Sequence, residues 1–261
     1  MDISGSYIET FLLEKAQQKI SAQNEIQKKY ESNKQKRPIK LKRDQQKKRS
    51  SKDPLAKNYN EDCTFEAGID EAGRGPMFGR VYSACVILPK DDPDFHYEWM
   101  KDSKRFSSNK KLMEMYNYIK EHAIDYCVCF EDETTIDEMN ILQATQKSMH
   151  NCLKGLKQRP EYLLVDGNYF NVYKDKKGTI PFTCVEGGDN AFCSIAAASI
   201  LAKVERDLYI EDMCNQHPEL DERYGLRKNK GYGTKQHMDG IKEHGISEWH
   251  RKSFGICKKF A

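Results

Sequence analysis

The amino-acid sequence predicts an α/β fold from about residue 65 onward. Short apolar runs typical of β-strands alternate there with segments whose apolar residues recur at helical spacing, which is the pattern of an α/β domain. Two of the strand-like runs end in aspartate closely followed by glycine. Ligands of open α/β sheets gather at such strand ends, so we expect the functional site there.

The predicted elements follow one another along the chain. Strands are expected over residues 65–70, 79–88, 125–130 and 161–165. Helices are expected over residues 109–123, 141–156 and 191–213. The first helix carries Leu112, Met115 and Ile119 on one face. The last contains a stretch of small residues, 196–199, which permits close packing against the sheet.

The bulk composition excludes some classes of protein. The chain has 261 residues, enough for one large domain or two small ones, and no apolar run is long enough to cross a bilayer. The first residues lack a secretory pattern, so we expect an intracellular protein, cytoplasmic by default, with no membrane partner. Nine scattered cysteines without a Cys-x-x-Cys pair favour reduced thiols over a zinc site.

Positive charge is concentrated in residues 1–60, which contain 15 Lys and Arg against 7 Asp and Glu. This composition predicts a basic tail, disordered or loosely helical, before a folded domain over residues 61–261. Two interpretations of the tail stay open: a solubilising extension, or a tether that binds nucleic acids nonspecifically by counterion release. The basic runs would also suit a nuclear-import signal, so a nuclear location stays open.

The segment of residues 68–76 reads Gly-Ile-Asp-Glu-Ala-Gly-Arg-Gly-Pro and ends the first predicted strand. Asp70 and Glu71 place two carboxylates beside Gly73 and Gly75, where backbone N–H groups can approach a ligand. Such a loop indicates a metal and phosphate site. The alternative is a solvated turn after an edge strand.

Two further carboxylates have comparable positions. Asp166 ends the fourth predicted strand, and Asp189 lies just before the last predicted helix. Strand ends of one sheet would bring both near Asp70 and Glu71, and four close carboxylates repel one another unless a cation neutralises them. All-oxygen ligands favour Mg²⁺ or Mn²⁺ over Zn²⁺. The alternatives are a helix N-cap at Asp189 and an ordinary turn at Asp166 and Gly167.

Several motifs occur in a characteristic order: residues 68–76, Asp-Ser-Lys at 102–104, Val-Asp-Gly at 165–167, the helix start at 188–207 and Lys-Gly-Tyr-Gly-Thr at 230–234. Over about residues 64–256 the chain resembles ribonuclease HII, the bacterial-type, single-chain type 2 ribonuclease H. The resemblance implies an RNase H-like fold in which helices flank a mixed central sheet. It also implies that residues 61–261 are a catalytic domain with a C-terminal helical extension from about residue 214.

The resemblance further implies a metal-dependent endonuclease, which we expect to be monomeric. Its substrates would be RNA/DNA hybrids and duplex DNA with embedded ribonucleotides, and its products would carry 3′-hydroxyl and 5′-phosphate ends. The carboxylates that match the family's catalytic, two-metal site are Asp70, Glu71, Asp166 and Asp189. The residues that match readers of the ribose 2′-hydroxyl are Gly73, Arg74, Gly75 and Tyr232. The residues that fit phosphate contacts are Ser103, Lys104 and Lys203.

Other residues fit the family pattern less well. Residues 77–80 replace its usual Val-Leu-Gly-Pro type of sequence, and Glu186 stands where a lysine is often found. We leave His237, His244 and His250 out of the catalytic set because a histidine in a helical segment is more often structural. Further basic residues are weaker phosphate candidates: Arg105, Arg206, Arg227, Lys228 and Lys230.

Two other functions stay open. One is a nucleic-acid-binding protein that keeps the fold without the chemistry, against which the presence of all four carboxylates weighs. The other is a two-metal nuclease that cuts DNA or RNA generally. Sensitivity of cleavage to the 2′-hydroxyl would separate that nuclease from a ribonuclease H.

Deletion of residues 1–60 should leave the cleavage chemistry intact and flatten the salt dependence of nucleic-acid binding, because fewer phosphates would be neutralised. The measurement is the slope of log Kd against log salt concentration for the full and shortened chains on one duplex. An unchanged slope would refute tethering by the tail.

Overall fold

The computed structural model describes residues 54–100 and 108–261. The predicted tail up to residue 53 lies outside this part of the chain, as do Ser103, Lys104 and Arg105. Within the described residues, no helix is both long and apolar enough to cross a membrane. All nine cysteines are described, and each is a free thiol, as the sequence predicts.

A mixed sheet forms the centre of the fold. The strands in the described residues are β1 (Glu66–Ala72), β2 (Val81–Ile87), β3 (Asp125–Glu131), β4 (Tyr162–Asp166), β5 (Lys174–Asp175), β6 (Gly178–Thr179) and β7 (Phe182–Val185). Five of them form the central sheet in the order β3-β2-β1-β4-β7, and β5 and β6 form a separate hairpin. Strand β1 pairs antiparallel with β2 and parallel with β4, so the predicted mixed sheet is confirmed.

Helices flank this sheet. Those in the described residues are α1 (Asn109–His122), α2 (Glu133–Met139), α3 (Ile141–Gly155), α4 (Cys193–Gln216), α5 (Pro218–Tyr224), α6 (Leu226–Asn229) and α7 (Lys235–His244). The three long helices predicted from the sequence are α1, α3 and α4, and their ends lie within three residues of the prediction. Strand β7 escaped prediction because its four residues are too few to show alternation, and helix α2 escaped because its seven residues make only about two turns.

Each face of the sheet packs against a different helix because side chains alternate along a strand. Ala67 and Ile69 of β1 are buried in a cluster that includes Met149 of α3. On the opposite face, Ala84 and Val86 of β2 are buried with the alanines of α4. The sheet is therefore covered on both sides, and its residues read as nearly continuous apolar runs.

Helix α4 lies directly on the backbone of β1 at Gly68. A Cβ atom at this position would lie 2.1 Å from the carbonyl carbon of Ser194, so only glycine permits this approach. The small residues 196–199 that follow are all buried, which agrees with the close packing that they predict. The contact holds the face of β1 that carries Asp70 against α4.

The first described residues contact the folded domain. The amide N–H of Ala56 donates to the carbonyl of Ala191, and the Glu66 carboxylate accepts hydrogen bonds from the backbone N–H groups of Tyr59 and Asn60 at 3.0 and 2.9 Å. The sequence alone places these residues in the basic tail. Because a deletion through residue 60 would remove these contacts, the shortened chain that tests tethering should begin at residue 54.

Candidate active site

The parallel pairing of β1 with β4 places Asp70 beside Asp166. Ile69 is the register partner of Val165, and each aspartate is the next residue along its strand. Strand β1 extends beyond Glu71, past the strand end that the sequence predicts, because β2 supplies antiparallel partners there. Carboxylates that are far apart in the sequence therefore meet at the carboxyl ends of two central strands, as expected.

Asp70 and Glu71 turn to opposite faces of the sheet because they are neighbours on one strand. Asp70 is buried, and its carboxylate accepts a hydrogen bond from Ser199 of α4. Glu71 accepts a hydrogen bond from the Arg74 guanidinium at 3.2 Å. Each carboxylate thus has a specific donor within the protein.

Asp189 is brought to the same edge of the sheet by β7. Asp166 is the register partner of Val185, the last residue of β7, and a 3₁₀ turn, Gly188–Asn190, follows. The Gly188 N–H donates to Asp166 Oδ1 at 2.7 Å, which joins the turn that carries Asp189 to β4. Helix α4 begins later, with Phe192 at its N-cap, so the alternative of Asp189 as the helix cap is wrong.

The electrostatics show that three of these carboxylates interact strongly. Burial raises the pKa of Asp70 well above its usual range, and the nearby charges of Asp166 and Glu71 raise it further. Burial also raises the pKa of Glu71, against the lowering effect of the Arg74 charge. Buried like charges at one site favour either protonation or a bound cation.

The donor chemistry of this site fits a hard divalent cation, since the four predicted side chains offer carboxylate oxygens only. The strongly raised pKa of the buried Asp70 supports this fit, because a cation would offset the mutual repulsion. Within the described residues, no three His, Cys, Asp or Glu side chains are arranged as a ready-made metal-binding set. The carboxylates instead bind protein donors, such as the Gly188 N–H and Arg74.

The four predicted 2′-hydroxyl readers lie on two loops that are next to each other. Gly73 has a φ of 93°, a left-handed conformation that favours glycine, and the chain turns there out of β1. A Cβ atom on Gly75 would lie 3.3 Å from the ring of Tyr232, whose side chain is half exposed. The Met77 N–H donates to the Gly231 carbonyl at 2.9 Å and ties the two loops together. The structure therefore joins two loops, residues 73–79 (the glycine loop) and residues 230–234 (the tyrosine loop), into one surface.

Two buried arginines, Arg206 and Arg251, donate hydrogen bonds to the backbone of these loops from the protein interior. Arg206 donates hydrogen bonds to the carbonyls of Phe78, Arg80 and Lys230. The weaker expectation that Arg206 contacts phosphate is therefore wrong, since its guanidinium is buried and already bonded to backbone. Arg251 donates to four carbonyls of the glycine loop. The sequence offered no signal for this residue, because residues 245–254, which follow α7, lack a periodic pattern.

Of the three residues expected to contact phosphate, Lys203 alone lies in the part of the chain that the structure describes. It lies on α4, and its Nζ binds the Asp207 carboxylate at 2.6 Å as an i,i+4 pair. Arg227 and Lys230 likewise pair with Glu211. A phosphate contact would have to compete with these carboxylates.

Two buried histidines support the tyrosine loop. His250 Nδ1 accepts a hydrogen bond from the Ser247 N–H, and His237 Nδ1 donates to the Tyr232 carbonyl, both at 3.0 Å. Their Nε2 atoms are 3.0 Å apart, so the His250 N–H must donate to an unprotonated His237 nitrogen. This chain of bonds requires both rings to be neutral. Burial lowers the pKa of both, that of His250 to about 3, so they are structural, as the sequence predicts.

Solved structures define the class of the fold. Ribonuclease H2 of Pyrococcus horikoshii OT3 aligns with a TM-score of 0.61 at 22% identity, covering 75% of this chain and 96% of that one. Bst-RNase HIII in complex with Mn²⁺ aligns with a TM-score of 0.52 at 20% identity, covering 75% and 68%. The protein has an RNase H-like fold, as the resemblance implied.

Sequence comparison defines the family more narrowly. The ribonuclease HII family model matches residues 67–257. A ribonuclease HII of Parabacteroides distasonis is 45% identical over 198 residues, which cover 76% of this chain and 94% of that protein. The chain belongs to the ribonuclease HII family, and it is therefore an enzyme of the ribonuclease H type.

Acidification should destabilise the fold through the histidine pair. Below pH 6.5 the unfolded chain protonates its histidines, whereas the folded chain keeps His250 neutral, so the stability present above pH 6.5 is lost as the pH falls. The free energy of unfolding should fall more steeply in the wild type than in His250→Asn, by about 1 kcal/mol per pH unit.

Urea unfolding between pH 7 and 4.5 measures this difference, and His122→Asn, which replaces an exposed histidine, is the control variant. Equal slopes for the wild type and His250→Asn would contradict a neutral histidine pair in the folded state.

Proposed function

We propose that the chain hydrolyses the RNA strand of RNA/DNA hybrids and incises duplex DNA at embedded ribonucleotides. The observation that supports this proposal is the continuity of β1 with the glycine loop. Asp70 and Gly73 are three residues apart, and Gly75 packs beside Tyr232. A group that reads the 2′-hydroxyl is thereby held at a short, fixed distance from the carboxylates that serve the reaction.

Asp70, Glu71, Asp166 and Asp189 would hold the metal ions, with Mg²⁺ or Mn²⁺ in a two-metal site. Bound there, such ions supply a nucleophilic water at neutral pH and stabilise the leaving oxygen. Bst-RNase HIII, which shares the fold, has been solved in complex with Mn²⁺. Water adds to the scissile phosphorus as the bond to the 3′-oxygen breaks, so the products carry 3′-hydroxyl and 5′-phosphate ends.

The protein's own residues would choose and orient the substrate. Backbone N–H groups of the Gly73–Gly75 loop bind the ribose 2′-hydroxyl, and the half-exposed Tyr232 ring packs on the same ribose. Lys203, together with Ser103 and Lys104, contacts backbone phosphates, which gives register but no sequence preference. The basic tail adds nonspecific affinity for nucleic acids. Without the 2′-hydroxyl contacts, the same carboxylates would cut DNA as well.

The chemistry is tested with a DNA duplex that contains one ribonucleotide, with Mg²⁺ or Mn²⁺ present. The wild type should incise it, and Asp166→Asn should lose activity by roughly 10²- to 10³-fold or more while binding the duplex normally. Asp175→Asn, which removes a carboxylate of the β5–β6 hairpin, is the matched control and should cut at the wild-type rate. If the wild type binds the duplex without incising it, the protein binds nucleic acids and is not a nuclease. If Asp166→Asn keeps full activity, Asp166 does not take part in the reaction.

Tyr232→Ala should lower the incision rate at a single embedded ribonucleotide more than the cleavage rate of a continuous hybrid. A single ribonucleotide offers one 2′-hydroxyl contact, whereas a hybrid offers many possible registers. Relative kcat/KM on the two substrates measures the effect, with Phe260→Ala as a control that removes another exposed aromatic ring. An equal loss on both substrates would count against the role of Tyr232 at the 2′-hydroxyl.

A further inference from the structure

We propose that Arg251 is a positioning residue for the discrimination between ribose and deoxyribose. Its guanidinium sets the orientation of the Gly73–Gly75 loop, so that two backbone N–H groups point at the substrate. The inference rests on the proposed role of that loop in binding the 2′-hydroxyl.

The contacts of Arg251 cover most of the glycine loop. Nη2 donates to the Gly73 carbonyl at 2.6 Å, and Nη1 donates to the carbonyls of Arg74 and Pro76 at 3.0 and 2.8 Å. Nε donates to the Gly79 carbonyl at 2.8 Å. The side chain is fully buried, so these bonds are shielded from competition by water.

These bonds decide where the loop's donors point. The C=O of one residue and the N–H of the next lie on opposite sides of a planar trans peptide. Because Arg251 draws the carbonyls of Gly73 and Arg74 inward, the N–H groups of Arg74 and Gly75 face outward. Neither N–H donates to a backbone or side-chain acceptor in the part of the chain that the structure describes. Both donors are available for a ligand at the surface that Tyr232 borders.

Arginine suits this position because its planar group carries five N–H donors in a fixed fork, whereas lysine has three donors on a single nitrogen. Among the described residues, the ion pairs do not include Arg251 or Arg206, so backbone carbonyls compensate both buried charges. Burial lowers the pKa of Arg251 to about 9, which leaves it protonated at neutral pH. A buried charge that depends on these carbonyls resists any movement of the loop away from them.

Arg206 extends the same support to the second loop. It donates to the Phe78 carbonyl at 3.1 Å and to the Lys230 carbonyl at 2.9 Å, so it connects the glycine loop with the loop of Tyr232. A Cβ atom on Gly73 would lie 2.2 Å from Arg206 Nε, so the glycine is required for the arginine to lie there. The carboxylates, by contrast, are held by the strands. Loss of Arg251 should therefore affect ribose selection separately from the carboxylate site.

The test compares binding of two duplexes that differ in one 2′-hydroxyl, in an Asp166→Asn background that prevents cleavage. With Arg251 intact, the ribonucleotide duplex should bind more tightly than the all-DNA duplex. Arg251→Lys should reduce that preference by roughly five- to tenfold, as expected for the loss of one or two hydrogen bonds. Its affinity for the all-DNA duplex should change by less than about twofold, because phosphate contacts are untouched.

Arg159→Lys is the matched control. Arg159 is half-buried, pairs with Asp175 at 2.7 Å and donates to the Gly178 carbonyl of the β5–β6 hairpin. Its substitution should leave the ribose preference unchanged. An unchanged preference in Arg251→Lys, or an equal loss in both variants, would overturn the inference.

Thermal unfolding establishes that each variant is folded before binding is measured. If Arg251→Lys does not unfold cooperatively, Arg206→Lys takes its place, with the same selective loss expected and an unchanged preference overturning the inference. A different result would contradict the proposed function itself: equal affinity for the two duplexes when both arginines are intact.

Discussion

The parallel pairing of β1 with β4 is the constraint on which the site depends. It sets Asp70 beside Asp166, and the apolar residues behind them, Ile69 and Val165, are fully buried. A slip of one residue in this register would turn every side chain of β1 to the other face, so Asp70 would leave Ser199 and enter the apolar cluster under α3. Burial of the core residues therefore also determines where the carboxylates lie.

The close placement of these buried carboxylates destabilises the folded protein locally. Burial and two neighbouring carboxylates raise the pKa of Asp70, which means that the charged form is destabilised in the folded protein. Hydrogen bonds from Ser199 and from the Gly188 N–H offset part of this repulsion at Asp70 and Asp166. The close contact of α4 with Gly68 supplies packing energy in the same place. Strain of this kind is common where function requires charges that stability does not favour.

The C-terminal extension supplies buried polar contacts to the loops of the candidate site, in addition to its helices. Arg251 reaches back to the glycine loop, and His250 supports the Tyr232 carbonyl through His237. Each of these buried polar groups has a specific partner, as buried polar groups require. The extension thus links the loop at the end of β1 with the loop before α7 and makes one continuous surface of two distant segments.

The alternation of strands and helices was readable from the sequence because α1 and α3 each carry an apolar face with a period of 3.6 residues, and α4 is a long segment that contains a run of small residues. Strand β7 was not readable, since it has four residues, and neither was helix α2. Asp70, Glu71, Asp166 and Asp189 could be named because each stands beside a strand end or a glycine turn. The contacts that hold the site together could not be predicted. Ser199 bonds Asp70, and Arg206 and Arg251 bond the carbonyls of the adjoining loops, only through tertiary packing, which no local spacing encodes.

The sequence by itself determined the α/β class, the family resemblance and the order of the carboxylates along the chain. Only the tertiary structure decided that Asp189 lies in a turn bonded to Asp166 and does not cap α4. It also showed Arg206 to be a structural residue, because burial leaves its guanidinium no access to phosphate. Local sequence patterns reflect which secondary structure the backbone prefers. The position of a buried donor depends on which distant carbonyls the fold brings to it.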